Sequence, residues 1–504
     1  MSVSNLPEAE VPAEEITTGG LSGRIYYVDS VAGDDKRQGT TSDKPLRTLD
    51  RLNQIQFRPG DTIRFRRGQT FPGTFAPTGS GSAREPIVVT SYGSGGKPVL
   101  DGQGAIATVY LHNVQGWELR DLEITNLGPP PTPDEQRAGI FVLLEDFGIG
   151  RHYAVLNVDV HDVNGPDVLE PIPSGGIIFV AGGKATPTGF DGITVRDSTV
   201  SRTDRMGICT QSLWSLRSEN PNGRGTSYVP MTNIVFRDNR LEDIGGDGIM
   251  INNGVGALVE RNVLDNYGAR AAEGTVVGLY GFNSDKGMFR HNSVTNGKLS
   301  SMAFDIETGN NGTVYEYNYS SRNNGGVLLT CNDPGSTSND AVFRFNVSHD
   351  DRDGTGAWPV GVITLACGDT TNLRIHNNTI YAPNATKIVN NINVTAAEMT
   401  NNIFVGKADG SVINDPHGTY RNNVYHNVVL QQGSDDSAIE ADPLFALADG
   451  VAASEHTWLG QLRAGSPALN AGEVPPLNGD PDHSADLGPK NIGAYQSDGV
   501  DPMP

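Results

Sequence analysis

Residues 287–307 read GMFRHNSVTNGKLSSMAFDIE, and the chain repeats this pattern. A short alternating strand leads to Asn292. A second apolar–polar stretch follows, then a glycine-bearing turn and a third strand ending Phe304-Asp305-Ile306-Glu307. The same order returns in NIVFRDNRLEDIGGDGIMINN (233–253), GTVYEYNYSSRNNGGVLLTCN (312–332) and NLRIHNNTIYAP (372–383). The asparagines Asn239, Asn262, Asn292, Asn318, Asn346, Asn377, Asn401 and Asn422 recur every 20 to 30 residues or so, roughly the period of a solenoid coil. One such coil cannot bury its inward residues alone. Stacked coils can, as parallel sheets around a continuous apolar interior. Asparagine at a fixed corner tolerates left-handed φ and can bond the main chain of the next coil, so a stacked amide ladder is predicted.

Bulk composition agrees with a folded chain of many strands and turns. Of 504 residues, 37% are hydrophobic and 19% charged, with 62 glycines and 30 prolines. A net charge of −22 argues against wrapping nucleic acid or an anionic membrane surface. No apolar run reaches the length of a membrane span. The start, MSVSNLPEAEVPAEEITTGG, has no basic end followed by an apolar stretch and reads as a flexible acidic lead-in over 1–23. Of the three cysteines, Cys331 and Cys367 are expected as neighbours in adjacent strands, as two buried thiols rather than a disulfide.

Longer stretches carry a resemblance. YYVDSVAGDDKRQGTTSDKPLRTLDRLNQ (26–54) looks like a lead-in strand and a short helix within 45–54 that caps the open end of a solenoid. REPIVVTSYGSGGKPVLDGQG (84–104) and WELRDLEITNLG (117–128) look like first coils. DPLFALADG, GSPALNAG and ADLGPKNIGAYQ, beyond residue 440, look like a closing segment. Together they resemble the right-handed parallel β-helix proteins of the pectate-lyase-like superfamily. The resemblance implies an all-β, right-handed parallel β-helix over 24–430, a short N-terminal capping helix, and a closing segment over 431–504 packed on the helix. It also implies a secreted, carbohydrate-active protein whose export signal is absent from this sequence. The superfamily includes glycoside hydrolases, polysaccharide lyases, uronan epimerases and phage tailspikes, so the shared fold does not settle the reaction.

Strand parity gives the outward row. Ile208 and Thr210 point in, Cys209 and Gln211 out; Ile249 and Ile251 in, Met250 and Asn252 out; Val277 and Leu279 in, Tyr280 out. Phe304 and Ile306 point in, so Asp305 and Glu307 point out together; Val327, Leu329 and Cys331 are expected inward, Thr330 and Asn332 outward. Paired outward carboxyls, one holding a proton beside an ionised partner, are what glycoside hydrolysis requires. Asp247, in the turn IGGDGIM, is the rival acid, with a turn-capping role as its simpler explanation. Glu273, Asp285, Glu316, Asp333, Asp350, Asp351, Asp353 and Asp369 are expected mostly as solvated loop charges. A long excursion after Gln211 carries Trp214, Arg217 and Tyr228, and a second loop carries Trp358, so aromatic rings flank the groove.

The expected function is a glycoside hydrolase acting on a polysaccharide or oligosaccharide. Asp305 and Glu307 would be the acid and the nucleophile or base, with Asp247 also a catalytic candidate. Arg205, Gln211, Trp214, Asn252, Tyr280, Asn332 and Trp358 would hold the sugar. The alternatives are a polysaccharide lyase on a uronic-acid-containing glycan, or a non-catalytic glycan-binding solenoid. No cofactor is required, although the acids Asp34 and Asp35 in SVAGDDKRQG would suit a structural calcium. A monomer with no nucleic-acid or membrane partner is expected.

Overall fold

The computed structural model describes residues 23–270, 275–354, 360–446, 460–473 and 491–496. Its strands assemble into three long parallel sheets, and in each sheet the order follows the chain, coil after coil. A typical coil gives one strand to each sheet, and every ladder between coils is parallel. The chain is a right-handed parallel β-helix, as the repeat predicts. Among the described residues one α-helix occurs, Leu49–Asn53. Thr48 caps it by accepting from the Arg51 N–H, and Leu49 and Leu52 are buried. No helix of the described residues is long and apolar enough to cross a membrane.

Residues at equivalent positions of successive coils stack in line through the lumen. On the sheet carrying the outward acids, Ile208, Ile249, Leu279, Phe304, Leu328, Ile363, Val389 and Ile413 stack in register, and each is fully buried. Burying side chains of this size contributes about 1.5–3 kcal/mol apiece.

The corner ladder exists, but its two jobs are divided. Asn239, Asn262, Asn292, Asn318 and Asn346 bond onward from coil to coil. The ladder then continues through Asn378, Asn402 and Asn423, not through Asn377, Asn401 and Asn422 as the sequence suggested. Those three sit one position earlier and carry the left-handed backbone, with φ of 53°, 57° and 56°. Earlier coils put Arg261, His291, Tyr317 and Phe345 there, at φ of 52° to 54°. Left-handed φ costs a non-glycine residue about 1–2 kcal/mol. The ladder amide that follows offsets that cost, because its Nδ2 donates to the coil before and to the coil after.

Past residue 430 the solenoid gains one more short strand, Ile439–Glu440. Leu462, Ala468 and Ile492 then pack on Ile403, Val405 and Val424, so the described part of the closing segment lies against the helix.

Two parity expectations fail. Val277 faces out, because the ladder skips Gly278 between Val277↔Met302 and Leu279↔Phe304. Leu328 lies in the lumen row, so Leu329 and Cys331 face out and Thr330, expected outward, faces in beside Ile306 and Leu365. The reason is that this part of the outer face is itself buried and apolar, so alternation no longer separates inside from outside. The thiol expectation also fails: Cys331 and Cys367, with Cα atoms 4.6 Å apart, form a disulfide beside Met302, Leu329, Val360 and Ala366.

Candidate active site

The outer face of the acid-bearing sheet holds two apolar clusters. One contains Phe141, Ile178, Cys209, Met250, Val277 and Tyr280, covered by Leu169 and Ile172 from the loop 164–174. The other is the disulfide cluster. Asp305 and Glu307 stand where the two meet. Register places Met250, Tyr280, Asp305 and Leu329 in one outward row. Continuing it by two residues places Asn252, Phe282, Glu307 and Cys331 in the next.

Asp305 has no exposed surface, and its carboxyl oxygens have no side-chain partner other than the Glu307 carboxyl. The Glu307 carboxyl lies within hydrogen-bond reach of it. Two carboxyls in that contact need a shared proton. Burial pushes the Asp305 carboxyl well up, and the Glu307 charge adds to this. Burial pushes Glu307 up to about 7, with the charge of Asp333 adding and the Asp305 contact opposing. Glu307 keeps some surface. From the lumen side, the Tyr315 hydroxyl donates to the Asp305 carbonyl at 2.5 Å and fixes the strand.

The charge of Asp247 reaches Asp305, and its contacts are those of a structural residue. Its Oδ1 accepts the Val277 N–H at 2.7 Å, the turn-capping role. Its Oδ2 lies 2.6 Å from Nη2 of Arg205. Burial pushes its carboxyl up, and the guanidinium opposes that. Arg205 is buried and also meets Asp167 at 3.4 Å. Gly246 makes the approach feasible, since a Cβ there would stand 2.0 Å from Nη1 of Arg205.

The remaining candidates divide. Gln211 donates to Glu170 Oε1 at 2.9 Å and to the Pro171 carbonyl at 3.3 Å, tethering the covering loop. Its Oε1, like Oδ1 of Asn252, is buried without a partner. Tyr280 forms part of the floor, its hydroxyl 3.1 Å from Met250 Sδ. Asn332 is spent on structure: it donates to the Asp369 carbonyl and Thr370 Oγ1 and accepts from Ser338 Oγ. Trp214 is 1% exposed and its indole N–H is bonded to the Gly182 carbonyl at 2.8 Å, so neither face is open to a sugar. Trp358 and Glu273 lie outside the described residues.

The Trp214 loop is a rigid wall. Arg217 forks onto Asp285 at 2.7 and 3.0 Å, bonds Asn283 at 2.7 Å, and stacks 4.4 Å over Tyr228. Arg224 meets Glu170 at 2.8 Å, joining this wall to the covering loop. Two acids expected as solvated loop charges are buried: Glu316 pairs with Arg344 at 2.8 Å, and Asp351 accepts from Ser320 and Ser348. Sequence reasoning passed over Phe282 and the Glu170 tether, since nothing local marks either. Asp34 and Asp35 accept main-chain N–H groups of Lys36, Arg47 and Thr48. Among the described residues no group of three metal-ligating side chains converges. A hollow of about 650 Å³ lined by Tyr425, Val428 and Asp435 lies at the far end of the solenoid, away from the acids. Chemistry, not size, marks the site.

Fold and outward acids together define a parallel β-helix with a carboxyl pair on its outer sheet face. No family model matches the chain. A lacto-N-biosidase of Bifidobacterium longum subsp. longum is 27% identical over 583 aligned positions, covering 93% of this chain and 36% of that protein. The chain thus spans about a third of that relative's length. Among solved structures, the native GH136 lacto-N-biosidase from Eubacterium ramulus superposes with a TM-score of 0.60 at 23% identity, over 81% of this chain and 67% of that one. XylC in complex with xylose gives 0.50 at 12% identity, over 85% and 88%. These structural likenesses establish the fold.

Proposed function

We propose that the protein is an extracellular glycoside hydrolase acting on a polysaccharide or its oligomers, with Glu307 as the acid that meets the glycosidic oxygen. One observation carries this reading: an outward carboxyl pair whose inner member is wholly buried with no side-chain partner but the outer one. A carboxyl held protonated near neutrality can give its proton to a leaving oxygen. Asp305 has no surface of its own, so it acts through Glu307 as a positioning residue that keeps a proton on the couple. Gln211 Oε1 and Asn252 Oδ1 offer unused acceptors for sugar hydroxyl or amide donors. Phe282, part-exposed over the buried Met250 and Tyr280, supplies an apolar surface for the CH face of a ring. Carboxyls and water complete this reaction, so no cofactor enters it.

The similarity to a lacto-N-biosidase supports hydrolysis over elimination. A lyase also needs a cation free to neutralise a uronate. The cation in this pit, Arg205, is already held by Asp247 and Asp167. The test is a panel of polysaccharides and oligosaccharides, including substrates of a lacto-N-biosidase, read for new reducing ends and for the ultraviolet absorbance of an unsaturated sugar. Reducing ends without absorbance support the proposal. Absorbance makes the protein a lyase, and binding without either product makes it a lectin-like solenoid.

A further inference from the structure

Hydrolysis needs two carboxyls about 5 to 9.5 Å apart, flanking the scissile bond. Asp305 and Glu307 touch each other, and Asp305 has no surface. They cannot flank a sugar; they form one functional unit with a single outlet, Glu307. The second carboxylate has to come from another coil.

Glu307 is paired in register with Cys331. Two residues further along and one coil on, in the turn that follows the strand, stands Asp333. Its backbone N–H donates to Thr308 Oγ1 at 2.8 Å, which ties it to the residue after Glu307. The Ser336 N–H closes the turn on the Asp333 carbonyl at 2.9 Å. Asp333 is exposed, and its charge reaches Glu307. Asp247 is the other acid whose charge reaches Asp305, but it is buried and both of its oxygens are engaged. A separate observation marks this face for a ligand: Asn252, 3% exposed, carries an unpartnered Oδ1 in the row of Glu307.

Resting on the hydrolase reading, we infer that Asp333 is the second catalytic carboxylate, opposite Glu307 across the glycosidic bond. The C1–O bond breaks with its electron pair going to the leaving oxygen, which takes the Glu307 proton. The new bond at C1 forms either to Asp333 itself, as an ester that water later cleaves, or to a water whose proton Asp333 accepts. In both courses the net reactant is one water.

The test uses the wild-type chain and the variants Asp333→Asn, Asp333→Ala and Glu307→Gln on a substrate found by the panel. Asp333→Asn should lower kcat about 10³-fold with an unchanged melting curve. Added formate, a small carboxylate, should restore turnover to Asp333→Ala, which a merely structural role would not permit. If Asp333→Asn keeps at least a third of wild-type kcat while Glu307→Gln is inactive, Asp333 is wrong and the hydrolase reading stands. Loss in Asp333→Ala without formate rescue also overturns the assignment. A wild type that releases no reducing ends overturns both.

Discussion

The asparagine corner and the acid face use similar groups and treat them in opposite ways. At the corner every valence is filled. Asn292 donates to the Val259 carbonyl and to Asn318 Oδ1, and its own Oδ1 accepts from the Asn262 N–H and Nδ2. On the acid face Asn252 Oδ1 and Gln211 Oε1 have no donor. A buried polar atom without a partner costs about 1–3 kcal/mol. The fold satisfies one row of amides coil after coil and leaves this pair of acceptors unsatisfied.

That contrast can be broken by experiment. The largest expected effect is on the acid face: Glu307→Gln should cost about 10³-fold in kcat while the melting temperature moves by no more than about 2 °C. Steady-state kinetics and calorimetry on one preparation check both halves. Next, Arg205→Met leaves Asp247 buried without its cation and should destabilise by about 3 kcal/mol. The Arg205→Met/Asp247→Asn double variant should recover part of that in thermal melts. Asn292→Ala should cost about 2 kcal/mol by orphaning its ladder partners. Its kcat per folded molecule should stay at the wild-type value; a matching loss of activity would erase the distinction between the two regions.

The pH dependence sharpens the comparison further. Glu307 as an acid must be protonated, so kcat should fall about tenfold per pH unit above about 7. Its folded value lies above the ordinary glutamate 4.5. The native state therefore binds the proton more tightly in that window. The stability this contributes is full below 4.5 and is lost as pH rises through about 7. Glu307→Gln should flatten both profiles. The smallest stability effect belongs to Asn252→Leu, within about 0.5 kcal/mol and in the stabilising direction, because an orphaned acceptor is removed. Its KM should rise about tenfold if Asn252 holds a sugar donor.

Legibility followed solvent contrast. The parity of 304–307 was readable because Phe304 and Ile306 alternate with two acids. The parity of 327–332 was not, because Leu328 faces the lumen and Leu329 faces a second apolar cluster. The ladder was readable to within one residue. Paired asparagines at 377–378, 401–402 and 422–423 hid which member turns the backbone and which bonds the next coil. In the coils holding His291-Asn292 or Tyr317-Asn318 there was no such ambiguity. Trp214 misled because a ring on a long loop looks the same in sequence whether it meets a sugar or its own wall.

The sequence alone determined the winding: a period near one coil, an apolar lumen row and a corner amide follow from local alternation and turn chemistry, which adjacent residues specify. It also determined that two acids share the outer face. Only the tertiary structure decided what those acids are. Coils far apart in order brought Arg205 against Asp247, set Tyr280 and Leu329 on either side of Asp305, and left one carboxyl inside and the other at the surface. Burial and charge act through space, and the distances that set them are fixed by stacking rather than by neighbours in the chain.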